Sequence, residues 1–211
     1  MRLATKSIDS DAILQFWFDD AVHQPKSIPK AKQRWYRGGA ALDRSIAAQF
    51  KTIHASVAAQ GLRDGLNPRA TLARIILLDQ FSRHLFRGTP KAFSFDPLAI
   101  AFSRQMFDSK AEDALQPVEQ LFALHPFHHS EDSAAQQLGI SKVESLTEQV
   151  SPAWRPLFQD FLKSFQEHAL IVERFGRFPH RNKILNRVNT TQEKQYLTQQ
   201  PQRYGQSHGH H

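Results

Sequence analysis

Two acid–base groupings interrupt otherwise apolar helical stripes. Leu72, Ile76, Asp79, Arg83 and Phe86 recur at spacings of four, three, four and three, which places them on one helix face. Asp79 and Arg83 therefore sit where apolar side chains are expected, and Arg87 continues the row. An unpaired carboxylate is costly to bury, so the pair either satisfies itself as a structural ion pair or lines a wet cleft. Further on, His125, His129, Asp132 and Gln136 repeat the pattern at four, three and four, on one face only if the helix survives Pro126.

The run His128-His129-Ser130-Glu131-Asp132 gathers imidazole and carboxylate, the ligand types of a nitrogen- and oxygen-preferring metal. It lacks the His-Glu-x-x-His spacing that sets two ligands one turn apart. No protein-ligated metal and no cofactor are expected there; hydrogen bonding to facing arginines, or capping through Ser130, suits these residues better. His168 falls within a Phe-rich stripe, the place of a hydrogen-bonded core histidine. After it comes Arg174-Phe175-Gly176-Arg177-Phe178-Pro179-His180-Arg181-Asn182, three arginines and two phenylalanines around a Gly-Pro-bounded turn. Arginine recognises carboxylate or phosphate through a planar fork and stacks on rings. The alternative is that Arg174, Arg177 and Arg181 pair with Asp79, Glu131 and Asp132 and hold the fold together.

These groups need helices to position them, and helical periodicity runs through nearly the whole chain without sustained strand alternation. Leu42, Ile46, Phe50, Ile53 and Val57 form one stripe, closed by Gly61. Asn67-Pro68 and Asp96-Pro97 read as a cap followed by proline, and one continuous helix is expected from Pro68 to about Arg87. Ser130 reads as the cap of a restarted helix, with Glu131 and Asp132 in its first turn, and a weaker helix spans about 142–150. Trp154, Leu157, Phe158, Phe161, Phe165, His168, Val172 and Phe175 share one face of the strongest helix, which Gly176 ends. The expectation is a single all-α domain over 1–198, built of stacked antiparallel helix pairs, followed by a polar, disordered tail over 199–211.

The 211 residues, 40% hydrophobic and 22% charged, have the balance of an ordinary soluble globular domain. Zero Cys excludes a disulfide scaffold, a thiolate nucleophile and any Cys-ligated zinc or iron–sulfur site. It also fits a reducing compartment, and with no targeting run or apolar stretch near the ~20 residues of a membrane span, the cytoplasm is the expected location. The formal charge is +7. Between Asp108 and Glu148 acids dominate, so the basic excess gathers in 26–37 and 174–187, which favours acidic partners or serves solubility.

Several strings together carry a resemblance. Trp35 with Asp43, Leu77-Leu78-Asp79-Gln80-Phe81-Ser82-Arg83, Arg87-Gly88-Thr89-Pro90 and Phe93 with Asp96 form the first part. His129-Ser130-Glu131-Asp132 with Gln136, and 175–182, complete it. Over about 13–197 the chain resembles the uncharacterised bacterial family catalogued as domain of unknown function nine-two-four. The resemblance implies an all-α fold similar to tetratricopeptide-repeat proteins, and no activity, substrate or cofactor. One departure stands out: family members tend to read Leu-Gly-Arg where this chain has Leu185-Asn186-Arg187, a place where asparagine tolerates a left-handed turn.

Two classes of function follow. One is a binding module whose cleft presents Asp79, Arg83, Arg87, His129, Glu131, Asp132, His168, Arg174, Arg177, His180, Arg181 and Asn182 to an anionic small molecule or acidic peptide. The other is a small hydrolase, with His129 or His180 as acid/base, Asp79 or Glu131 as partner and arginines stabilising an oxyanion or phosphate. Nucleic-acid binding ranks third, weakened by the acidic middle and the lack of a reader module. The polar groups are expected to converge as one constellation, with at least one acid–arginine contact across elements.

Overall fold

The computed structural model describes residues 8–199, and among these no strand forms; well over half of them are helical. The tail expected to be disordered lies, beyond Gln199, outside the described residues. The helices are α1 (Ser10–Phe18), α2 (Ile28–Arg37), α3 (Gly39–Gln60), α4 (Pro68–Ile75) and α5 (Ser82–Leu85). They continue with α6 (Asp96–Asp108), α7 (Pro117–Ala123), α8 (His125–His128), α9 (Ser133–Gln149), α10 (Arg155–Phe175) and α11 (Thr191–Gln199). No helix among the described residues is long and apolar enough to cross a membrane.

Chain chemistry explains most boundaries. Asn67 accepts the Ala70 N–H at 2.8 Å and Pro68 opens α4, the cap-plus-proline arrangement expected there. Asp96 behaves differently. It is the first residue of α6 and caps nothing, because two arginines claim its carboxylate. Nor does Ser130 cap the next helix: Asp132 does, accepting from the Ala134 and Ala135 N–H groups. The weaker helix expected at 142–150 is the second half of α9, which runs unbroken through Gly139. A Cβ at Gly139 would stand 3.0 Å from the Phe127 Cβ and 3.3 Å from the Phe165 ring, so its absence lets α9 press against α8 and α10.

The continuous helix expected from Pro68 to Arg87 is interrupted. Between α4 and α5 the chain makes a π-helical turn over Ile76–Phe81, and α5 ends at Leu85. Ile75, Ile76, Leu77, Leu78 and Asp79 are all 0% exposed, as befits a helix enclosed on every side. Such turns insert an i→i+5 step into an α-helix and recur at functional sites. Here the inserted turn carries Asp79. One main apolar cluster joins α1 through α10, with Trp17, Phe81, Phe122 and Phe158 in its interior. A smaller cluster of Ile171, Val172 and Phe178, with Phe175 and Tyr196 against it, seats the C-terminal segment.

Candidate functional site

A cleft of about 730 Å³ opens where α2 and α3 meet the π turn, α5, α8 and α10. Its lining holds six histidines, His84, His125, His128, His129, His168 and His180, together with Arg83, Arg87 and Arg181. Trp35, Tyr36, Phe93 and Phe161 supply apolar wall, and Arg37 and Lys32 line it as well.

Beneath the cleft lies an ion-pair network. Asp79, fully buried, accepts from His129 Nδ1 at 2.7 Å and from the Gln80 amide, and stands 3.3 Å from Arg83 Nη1. Arg83 also forks onto both oxygens of Asp96, at 3.0 and 3.1 Å. Arg181 Nη1 reaches Asp96 at 3.5 Å, and its Nη2 donates to the His129 carbonyl at 2.9 Å. The Arg181 guanidinium lies between the rings of Phe93 and Phe178, 4.7 and 4.5 Å from their centroids. Two cations thus face two carboxylates in the interior, and burial pulls the Arg181 pKa down to about 10. Burial raises that of Asp96 despite its arginines.

A second pair borders the same cleft. Asp43 accepts from His84 Nδ1 at 2.7 Å and takes Arg87 on both oxygens, at 2.7 and 2.8 Å. Burial opposes ionisation of Asp43, but these hydrogen bonds hold its pKa below the usual value.

The histidines share a chemical state. Burial lowers the pKa of all six, to about 4 for His168 and about 3 for His180, and well below the ordinary value for His128 and His129. At neutral pH they are imidazoles. Carboxylates and carbonyls only accept, so His84 and His129 direct Nδ1–H to Asp43 and Asp79. His125 and His168 direct theirs to the carbonyls of Leu121 and Ser164, at 3.0 and 2.9 Å. Each of these four rings keeps its lone pair on Nε2. Stacking fixes the remainder: His125 lies on Phe122 at 4.4 Å, and His128 packs between Phe165 and His168, at 4.4 and 3.9 Å. Among the described residues, no three His, Asp or Glu side chains stand at metal-ligand spacing.

Among the buried polar atoms on cleft-lining residues, Arg181 Nε and His128 Nδ1 find no hydrogen-bond partner among the described residues. Both residues are only 6% exposed. Buried donors and acceptors are almost always satisfied, so such orphans ask for a partner that the described residues do not supply.

Of the residues expected to converge, Arg83, Arg87, His129, His168, His180 and Arg181 line the cleft, with Asp79 directly behind His129. Five stand elsewhere, each for a visible reason. Glu131 pairs with Arg187 at 2.6 and 2.9 Å and accepts the Phe178 N–H, which fastens the turn after α10. Asp132 caps α9, with Arg104 at 3.9 Å. Arg174 lies on the surface over the Phe175 ring. Arg177 turns away and forks onto Glu193 of α11, at 2.7 and 2.9 Å. Asn182, fully buried, donates to Asn189 and accepts from Arg187. The turn itself forms with Asn186 in the left-handed region, at φ 53°.

His84, His125 and His128 join the cleft without having been singled out for it. The sequence held a weak signal for His84, which follows Arg83 directly. Its partner Asp43 lies 41 residues away on α3 and no local spacing reveals it.

No curated protein matches the sequence. A solved structure of a protein of unknown function from Agrobacterium tumefaciens is similar: it is 32% identical, with a TM-score of 0.71 over 90% of this chain and 97% of that one. The family model described as bacterial protein of unknown function, DUF924, matches residues 13–201. Matched over most of its length, the chain belongs to the DUF924 family.

Proposed function

We propose that the cleft binds a small molecule carrying an acidic group and hydrogen-bond donors. The observation that carries this reading is the pair of orphaned atoms, Arg181 Nε and His128 Nδ1, on buried residues that line it. A ligand carboxylate or phosphate oxygen accepts from Arg181, and Nε2 lone pairs receive ligand hydroxyl or amine protons. Arg37, exposed at the cleft and without an acid partner among the described residues, adds a cation outside the neutralised interior. The volume, about 730 Å³, is that of a small-molecule pocket, which favours a metabolite over an acidic peptide. Anion binding, tetratricopeptide-like stacking of α9 on α10 and a cytoplasmic setting belong to the same proposal; the cysteine-free composition supports the last.

Thermal unfolding with small mono- and dicarboxylates, sugar phosphates and acidic peptides tests it. Ligands that bind the native state raise its Tm. Small acids raising the Tm of the wild type but not of Arg181→Lys support the reading. No shift from any of them, or shifts from acidic peptides alone, overturns it.

A further inference from the structure

The Asp79–His129 contact differs in kind from the others in the cleft. His168 satisfies Nδ1 on a carbonyl of its own helix and His125 on one of the helix just before it, each four residues back. His129 instead reaches a carboxylate 50 residues away, fully buried, carried by the π-helical turn and held by Gln80 and Arg83. A carboxylate on Nδ1–H fixes the tautomer, orients the ring and stabilises the imidazolium that forms when Nε2 takes a proton. Beside it, Arg181 is anchored to the His129 backbone carbonyl at 2.9 Å and clamped between two rings, with Nε–H uncommitted. A base and a rigid N–H donor therefore stand together in one cleft, as carbonyl addition requires.

Resting on the binding reading above, we propose that this cleft hydrolyses a small carboxylic ester or lactone that bears an acidic group, with His129 as general base and Arg181 as oxyanion donor. The chain has no Cys, and no hydrogen bond of a Ser164 or Tyr36 hydroxyl to His129 is found among the described residues, so water is proposed as the nucleophile. His129 Nε2 takes a proton from water as the water oxygen bonds to the carbonyl carbon. The carbonyl π pair moves onto its oxygen, which accepts from Arg181 Nε–H. Collapse breaks the bond to the leaving oxygen, and that oxygen takes the proton from Nε2. Ester and water become acid and alcohol, and the imidazole is restored. Asp79 is a positioning residue throughout.

The experiment uses the full chain with mono-4-nitrophenyl succinate, 4-nitrophenyl acetate as the uncharged comparison, and succinate as the probe of binding. The proposal expects the succinate ester to be the faster substrate. It expects His129→Gln to lower kcat by about 10²–10⁴-fold with KM little changed, the span typical of general base catalysis. Asp79→Asn should lower kcat with succinate binding retained. In the wild type, kcat/KM should fall on the acid side through a single ionisation below pH ~6.5, the ordinary histidine value. This last readout needs no variant, so it decides the matter even where a substitution prevents folding. Succinate binding without ester hydrolysis, hydrolysis indifferent to His129→Gln, or an acid limb that is missing overturns the reaction and leaves the binding reading standing. If neither succinate nor its ester binds, both fail.

Discussion

Asp79 and His129 lie 50 residues apart in sequence and 2.7 Å apart in the fold, and the contact joins the π-helical turn to the end of α8. It couples the centre of the molecule to the cleft, because Asp79 is fully buried while His129 forms part of the wall.

Removing the carboxylate should therefore be costly. Asp79→Ala leaves the buried Arg83 with Asp96 alone, in a network where Arg181 also draws on Asp96. Urea unfolding at neutral pH should show a loss of about 3–5 kcal/mol, the usual cost of breaking a buried ion pair on one side. A loss below about 1 kcal/mol, as for an exposed pair, would place the pair in solvent-like surroundings.

Arg177→Ala should separate the C-terminal segment from the cleft. Its fork onto Glu193, which holds that carboxyl near pKa 2, and its contact with the Val188 carbonyl all lie on the α11 side. Amide exchange in α11 should quicken, while small-acid binding in the cleft stays as in the wild type. Weakened binding would show that Arg177 acts on the cleft through His180 and Arg181, which the same turn places there.

Acid should destabilise the protein through its histidines. Their folded pKa values lie below the unfolded value of 6.5, so below that pH the unfolded chain binds more protons. The stability they confer is complete above pH 6.5 and drains as pH falls toward about 4 for His168 and about 3 for His180. In that window each such histidine costs about 1.4 kcal/mol per pH unit. Asp96, with a raised pKa, acts in the opposite sense nearer the carboxylate range. Denaturant midpoints should stay level between pH 7.5 and 6.5 and fall steadily from there to pH 4.5; a flat profile throughout would mean that the rings are solvated.

Gly139→Leu should force α9 off its neighbours, since even a Cβ there meets Phe127 at 3.0 Å. A loss of about 1–3 kcal/mol is expected from overpacking, read from chemical denaturation. Unchanged or greater stability would show that the α9–α10 seam yields.

The helical stripes were open to reading because spacings of three and four report one-sided burial directly: Ile46, Phe50 and Val57 on α3, and Phe158, Phe161 and Phe165 on α10, are all buried. Caps were less legible. Asn67 caps as expected, but Asp96 and Ser130 lose the role to competition that only the fold sets up, namely arginines that arrive from elsewhere and a better-placed Asp132. The π turn leaves no periodic trace, because five of its six residues, all but Gln80, are buried. At the site, acids, arginines and His129 betrayed themselves by interrupting apolar faces. What could not be read was partnership: Arg177 pairs with an acid beyond the turn, and His84 with an acid two helices earlier.

Binding of a small acid in the cleft engages Arg181 Nε and His128 Nδ1 if these two atoms are its contacts, as proposed. Proton–nitrogen correlation spectra that resolve arginine Nε–H and histidine ring nitrogens, recorded during titration with succinate, address it most directly. Saturable shifts are expected at Arg181 and His128 together, with Arg174 and Arg177 unmoved. Shifts confined to surface arginines such as Arg174, or none at Arg181 at saturating succinate, would contradict it.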